Sequence, residues 1–292
     1  MSALGLLSIH KPPGISSRRV VDHVQRLVRP AKAGHAGTLD PLAEGVLVVC
    51  VGSATRLIEY VQRMPKRYRG TFLLGRTSAS DDIETEVELL DDPPQPTREE
   101  IAAAAGNFVG DIQQRPPAFS AVKVRGHRAY ALARAGKPVE PAPRTVTVYS
   151  LDPLRYDYPE LELDIRCGQG TYVRALGRDM AELLGTGAVM SALVRTAVGA
   201  FTLDNAVTME SVHAETLPEL LLPARRAVEE LPAFTMDEMQ LERIARGQSI
   251  EYDAAHGVDE FAGIDASGKL VAILRPRGGS LWHPVRNFAS AG

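Results

Sequence analysis

The spacing of apolar positions marks out most of the elements of this chain. Leu4 to Ile9 is a short apolar run read as a strand, ended by the turn Lys11-Pro12-Pro13-Gly14. Val20, Val21, Val24, Leu27 and Val28 recur at helical spacing behind Ser16 or Ser17, either of which can serve as N-cap. Val46-Leu47-Val48-Val49-Cys50-Val51 is apolar at every position, the pattern of a strand buried on both faces. A short helix follows at 54–61. Lys66 to Leu74 alternates as a strand, with Tyr68 near its start. Residues 78–92 read as an acidic loop and strand, and Thr97 with Glu100 forms a capping box that opens a helix. Leu161 to Cys167 alternates again. A helix then spans about Tyr172 to Leu184, closed by Gly185-Thr186-Gly187-Ala188, and a strand covers about Met190 to Thr196. Pro218 to Glu230 reads as a helix that closes the larger unit. Beyond Pro232 the pattern predicts a helix from Asp237 to Arg246 and three short strands, Glu260–Asp265, Leu270–Leu274 and Trp282–Phe288. Ser267-Gly268 makes the hairpin turn between the first two.

Residues 113–145 break this order. They are basic, interrupted by prolines and weakly periodic, with a short helix expected from His127 to Ala135. Such a segment reads either as an insertion that orders on a partner or as a plain surface excursion. The chain is therefore divided into a larger unit, 1–230, carrying this insertion, and a small β-rich unit, 231–292.

Composition narrows the function classes. The chain has 292 residues, enough for a sizeable core. No apolar run is long enough to span a membrane, and the first residues lack the pattern of a secretory signal. The two cysteines, Cys50 and Cys167, sit in strand-like runs and read as buried reduced thiols of a cytoplasmic protein. There is no CxxC pair, HExxH or Walker loop, which disfavours a tightly bound zinc or nucleoside triphosphate. The net charge of −3 hides a block structure. Residues 1–70 carry 11 Lys+Arg against 4 Asp+Glu, and residues 113–150 carry 7 against 1, whereas residues 71–112 carry 2 against 10. Two basic blocks set among acidic ones can grip a polyanion or simply form a mixed solvated surface.

The chemistry centres on His35-Ala36-Gly37-Thr38-Leu39-Asp40-Pro41-Leu42-Ala43-Glu44-Gly45, a polar loop that runs into the apolar strand. Gly37 and Gly45 can take positive φ, and Pro41 pushes Asp40 out of the helical region. An Asp before Pro commonly caps a turn. A carboxylate held on a loop beside a buried strand is also a plausible nucleophile.

Four separated signals now fall together. They are the loop itself, Lys66-Arg67-Tyr68 leading to Leu74-Gly75, Gln114-Arg115-Pro116-Pro117 with Ser120-Ala121-Val122-Lys123-Val124-Arg125-Gly126, and Cys167 through Arg174 followed by Leu193. In this order and spacing the chain resembles the TruB-type tRNA pseudouridine-55 synthase family, strongly over Leu6 to Arg195 and weakly beyond. The resemblance implies an α+β fold: a mixed, largely antiparallel sheet flanked by helices, with a small β-rich, PUA-like C-terminal domain. It implies isomerisation of a uridine in the T-loop of tRNA, with no cofactor and no metal, by a cytoplasmic monomer that binds the T-arm and no membrane. Asp40 matches the family's catalytic aspartate. Tyr68 matches a tyrosine that stacks on the target base, and Arg174 an arginine that pairs with the catalytic carboxylate. Tyr172 and Leu193 match pocket-lining residues, and His35 a histidine that fills space left by flipped nucleotides. Lys123, Arg125 and Arg128 are candidate phosphate contacts by charge and position alone. His10 and the loop Ser80-Asp81-Asp82-Ile83-Glu84 depart from the family pattern and are expected to stand apart from the chemistry. A tRNA-folding chaperone with secondary catalysis is the alternative. Glycoside hydrolysis by paired carboxylates is disfavoured, because Glu44 is the only nearby acid in the loop and no second one is suggested elsewhere.

Overall fold

The computed structural model describes residues 4–120, 122–124, 126–137, 139–253 and 257–289. The first strand, β1 (Gly5–Lys11), leads to helix α1 (Ser17–Val28), whose N-cap is Ser16 and whose valine face is buried. A short strand β2 (Ala33–His35) precedes the Asp40 loop and strand β3 (Glu44–Val51). The apolar run of β3 separates two cores: Val46, Val48 and Cys50 face one, and Leu47, Val49 and Val51 face the other against α1. A 3-10 turn (Gly52–Leu57) and helix α2 (Ile58–Arg63) stand where one short helix was expected. Strand β4 (Lys66–Leu74) shows the alternation read from sequence, burying Tyr68, Gly70, Phe72 and Leu74. The acidic segment forms a small hairpin of β5 (Arg76–Ser78) and β6 (Val87–Leu89). Helix α3 (Arg98–Gly106) opens on Thr97 with both bonds of the Thr97–Glu100 capping box made.

The basic segment departs from expectation at its edges. Gln113 and Gln114, the first residues of the 113–145 segment, end strand β7 (Gly110–Gln114), the outer strand of the main sheet. After a small hairpin of β8 (Lys123–Val124) and β9 (His127–Arg128) and helix α4 (Ala129–Arg134), Arg144 starts strand β10 (Arg144–Asp157). Prolines and polar residues obscured these strands in the sequence; their regularity comes from pairing with each other, Arg144 opposite Gln114 through Val148 opposite Gly110. Strand β11 (Glu160–Cys167), helix α5 (Val173–Leu183) and strand β12 (Ala188–Val198) follow, then short strands β13 (Phe201–Thr202) and β14 (Val207–Thr208). The helix expected over Pro218–Glu230 is broken into α6 (Leu217–Leu220) and a 3-10 turn (Ala224–Val228). Pro223 cannot continue a helix and disfavours helical backbone before it. Leu222 instead exchanges backbone hydrogen bonds with Leu6, N to O at 2.8 and 2.9 Å.

Among the described residues the main sheet runs β14-β1-β3-β12-β4-β11-β10-β7, with β2 on β3 and β13 on β12. Only β1 with β14 and β3 with β12 pair in parallel, so the sheet is mixed and largely antiparallel. Helix α5 lies on one face of it. Gly177 allows this close approach: a Cβ there would stand 2.1 Å from Cε1 of Phe72.

The chain ends in β15 (Ala233–Thr235), α7 (Glu238–Ala245), β16 (Ile250–Glu251), β17 (Phe261–Ile264), β18 (Leu270–Gly278) and β19 (Leu281–Asn287). Its strands form a five-stranded sheet in the order β15-β17-β18-β19-β16. Ala262, Leu270, Ile273 and Phe288 of this unit share an apolar cluster with Leu6, Val46, Leu57 and Val198 of the larger unit. Polar ties flank the cluster: the Tyr60 hydroxyl donates to Glu260 at 3.0 Å, and Arg286 pairs with Glu59 at 2.7 Å.

Candidate active site

Strand register brings the site together. Strand β12 lies between β3 and β4, with Arg195 opposite Gly45 on one side and opposite Tyr68 on the other. The Asp40 loop, Tyr68 and Leu193 therefore meet at one place on the sheet, although they are far apart in sequence. Strand β11 pairs with β4, and the turn after Cys167 swings the start of α5, with Arg174, over the same place. The result is an open cleft of about 1160 Å³, lined among others by His35, Asp40, Tyr68, Tyr172, Arg174 and Leu193. All six residues singled out by likeness to one family thus border one space. The phosphate candidates are different: Arg125 lies outside the described residues, as do the side chains of Lys123 and Arg128.

The Asp40 loop is shaped by its glycines and held by buried hydrogen bonds. Gly37 and Gly45 have φ of 132° and 105°, and a Cβ on Gly45 would meet the Arg195 carbonyl oxygen at 2.3 Å. The Ser17 hydroxyl accepts from Leu39 N at 2.8 Å and donates to Leu39 O at 2.9 Å, tying the loop to α1. Lys11 lies fully buried beneath it, and its Nζ donates to Pro12 O at 2.9 Å and Ile15 O at 2.7 Å and faces Pro41 O at 3.5 Å. Burial lowers its pKa to about 8 although Asp40 pulls the other way.

Asp40 is half-buried, with 37% of its side chain exposed, and its Oδ2 is 3.1 Å from Nε of Arg174. Arg174 is itself only 5% exposed and serves several acceptors at once. Its Nη1 donates to Ser80 O at 2.5 Å and pairs with Asp82 at 3.1 Å, and its Nη2 donates to Phe119 O at 3.1 Å. The planar guanidinium suits this work, because its donors point in fixed directions. Arg174 thereby joins the Asp40 loop, the acidic loop and the root of the basic insertion.

This geometry corrects two expectations. The acidic loop does not stand apart: Asp82, 1% exposed, is the second carboxylate on Arg174, and Glu84 accepts from Leu42 N at 3.0 Å within the Asp40 loop. The expectation that no acid outside the loop joins Glu44 near Asp40 fails for the same reason, since folding brings in Asp82 and Glu84 from a separate loop. His10 lies 3.7 Å from Glu44, at the end of the Asp40 loop.

Tyr68 is 9% exposed and borders the cleft. Burial pushes its phenol pKa up, and the Arg195 guanidinium beside it acts in the opposite direction. Arg195 is fully buried and was not singled out from sequence. It donates from Nε to Val46 O at 2.6 Å and from Nη2 to Gly37 O at 3.1 Å, gripping both ends of the Asp40 loop. An arginine inside a largely apolar strand was the available signal. His35 has its pKa lowered, first by burial and then by Arg195 and Arg18, so its ring is neutral at pH 7. Tyr172 is held through its backbone by the buried Gln114, which accepts from its N–H at 2.8 Å and donates to its carbonyl at 3.0 Å, while Arg144 lies over its ring at 5.0 Å. Among the described residues, no set of His, Cys, Asp and Glu is arranged to hold a metal ion.

Comparison with known proteins agrees with this arrangement. A family model described as TruB family pseudouridylate synthase, N-terminal domain, matches residues 25–173, and one described as tRNA pseudouridylate synthase B C-terminal domain matches residues 174–229. The tRNA pseudouridine synthase B of Rhodopirellula baltica is 38% identical, covering 98% of this chain and 95% of that protein. The protein of the same name from Dehalococcoides mccartyi is 40% identical, covering 97% and 96%. Among solved structures, a Cbf5-Nop10-Gar1 complex aligns with a TM-score of 0.72 at 26% identity, over 94% of this chain and 79% of that one. An H/ACA RNP bound to a substrate RNA containing 2′-deoxyuridine aligns with a TM-score of 0.74 at 22% identity, over 98% and 86%, and shows the shared fold. With family models and near full-length relatives both matching, the chain belongs to the TruB family of pseudouridylate synthases.

Proposed function

We propose that this cleft takes up a uridine flipped from the T-loop of tRNA, at position 55, and isomerises it to pseudouridine with Asp40 as the catalytic carboxylate. Uridine-to-pseudouridine isomerisation in tRNA is the activity of the family to which the chain belongs. The T-loop site, the residue roles, the absence of a cofactor and action as a monomer are our reading. The observation that carries it is the half-buried Asp40 carboxylate held 3.1 Å from a buried arginine in an open cleft.

The reaction constrains the roles. The N1–C1′ bond breaks, the uracil turns, C5 bonds to C1′, the C5 proton leaves and N1 regains a proton. Atoms and electrons balance without hydrolysis or oxidation. The glycosidic bond is shielded in a stacked loop, so the nucleotide must be extruded first. Asp40, with one side open to the cleft, meets the sugar or base while the bond is open. Arg174 fixes its direction. Tyr68 offers a ring face to the everted base, a contact worth about 1–3 kcal/mol for a stacked base. Its phenol stays protonated near neutrality, so it works as a neutral hydroxyl. Tyr172 and Leu193 border the base, and neutral His35 fills the gap left in the loop. Lys123, Arg125 and Arg128 hold phosphates as the insertion, 113–145, meets the T-arm. In this reading 1–230 is the catalytic domain and 231–292 a PUA-like domain.

The decisive experiment is pseudouridine mapping on unmodified tRNA treated with wild type or Asp40→Asn. Wild type is expected to convert one T-loop uridine, whereas Asp40→Asn binds the same tRNA and converts none. Turnover by a clean Asp40→Asn sample in a single-turnover assay would remove Asp40 from the chemistry.

A further inference from the structure

We propose that the outward face of helix α1 is a phosphate-binding surface for the RNA strand that leads away from the cleft. This rests on the reading of the cleft as an RNA site and assigns it a further contact. Arg18, Arg19, Asp22, Gln25 and Arg26 of this face, with Arg29 just past the end of the helix, border a shallow groove of about 420 Å³. Its opposite face, Val20, Val21, Val24 and Val28, is buried in the core, so the arginines cannot turn inward.

Charge is the first argument. Arg18 pairs with Asp22 at 2.8 Å, which neutralises the one carboxylate on this face. Arg19, Arg26 and Arg29 are exposed, and their side chains have no ion-pair or hydrogen-bond partner among the described residues. Helix stability does not account for all of them. The first turn holds Arg18 and Arg19 and no acid. Cations there oppose the helix dipole, which favours them only at the other end. An external anion offsets that cost.

Position is the second argument. Arg18 borders the active-site cleft as well as this groove, so the two surfaces are continuous. From Arg18 to Val28 the helix rises about 15 Å, with Arg29 following as its C-cap, the span of several phosphates along one strand. The third argument is rigidity. The Ser17 hydroxyl ties the start of α1 to Leu39, next to Asp40. Gln25 donates to Ala31 O at 2.6 Å and accepts from Ala33 N at 2.9 Å, tying its end to the segment that leads to His35. Phosphates held on α1 are therefore in fixed register with the reacting nucleotide.

The test is the triple variant Arg19→Gln/Arg26→Gln/Arg29→Gln, compared with wild type and with Arg98→Gln, an exposed charge control that does not line the cleft. Affinity for unmodified tRNA is measured over a range of salt concentrations, alongside pseudouridine formation. The triple variant is expected to bind at least tenfold more weakly at low salt. Its log–log salt slope should be shallower by about 2–3, roughly one for each phosphate that is no longer neutralised. Its turnover at saturating tRNA should match wild type, and Arg98→Gln should behave as wild type throughout. An unchanged slope and affinity overturn the proposal, as does an equal loss in Arg98→Gln. Failure of wild type itself to form pseudouridine would instead overturn the reading of the cleft, and the two failures are read from separate measurements.

Discussion

Arg174 carries more of this site than any other side chain. One guanidinium meets Asp40, Asp82, Ser80 O and Phe119 O while almost fully buried. A lysine at that position keeps the charge but has one compact donor group, and it cannot serve acceptors in four directions. Arg174→Lys is therefore expected to lower single-turnover pseudouridine formation about 100-fold, because misplacing a catalytic group by about 1 Å is enough for such a loss. tRNA binding should remain close to wild type; an unchanged rate would refute the assignment. Residue-level likeness identified Asp40, Tyr68 and Arg174 but passed over Asp82 and Arg195. Both are charged groups whose meaning depends on burial, and burial is a property of the fold. A carboxylate in an acidic loop looks solvated until a distant helix brings a guanidinium to it.

At the scale of elements, the placement of Arg174 depends on how closely α5 lies on the sheet. Gly177, one turn further along the helix, leaves room for Phe72 of β4, with only 2.1 Å between a Cβ at 177 and the ring. Gly177→Ala should force ring and helix apart and cost about 1–3 kcal/mol of stability by overpacking. Denaturant unfolding measures this, and a midpoint equal to wild type would contradict it. Elements with a strong internal signal were legible: the capped α1 and α3, the continuously apolar β3 and the alternating β4 and β11. Strands β7 and β10 were not read: Val146 and Val148 do alternate and are buried, but the proline-broken basic stretch before Arg144 and the polar Gln113-Gln114 masked the pair, whose register is set across the strands. The expected helix over Pro218–Glu230 failed at Pro223, where pairing of Leu222 with Leu6 replaces a helical turn.

At the scale of the whole molecule, Cys50 and Cys167 report on the integrity of the core. Both are free and buried in the main sheet, and burial pushes their thiol pKa values up to about 12 and about 11. Native protein should resist iodoacetamide, and unfolded protein should take up two adducts by mass spectrometry. Labelling of the native protein at a comparable rate would place the thiols at the surface. The same shifts have a sign in pH. Between pH 9, the ordinary thiol value, and about 11, the unfolded chain releases both protons while the folded chain retains them. Stability falls with rising pH across that window. The double variant Cys50→Ala/Cys167→Ala should lack this component. The charge blocks also acquire meaning only at this scale. The basic block at 1–70 includes Lys11 and Lys66, both buried in the interior, as well as the exposed arginines of α1. A count along the chain cannot distinguish the two.

Local chemistry alone determined the helix caps, the glycine-shaped Asp40 loop, the twice-buried strand and the residues that match one family. These are short-range properties, set by backbone sterics, side-chain period and motif spacing. The meeting of Asp40 with Arg174, the entry of Asp82 into the site and the grip of Arg195 on both ends of the loop were decided by tertiary structure. Each depends on strand order and register, with β12 placed between β3 and β4, and order and register follow from which apolar faces can be buried together across the whole sheet.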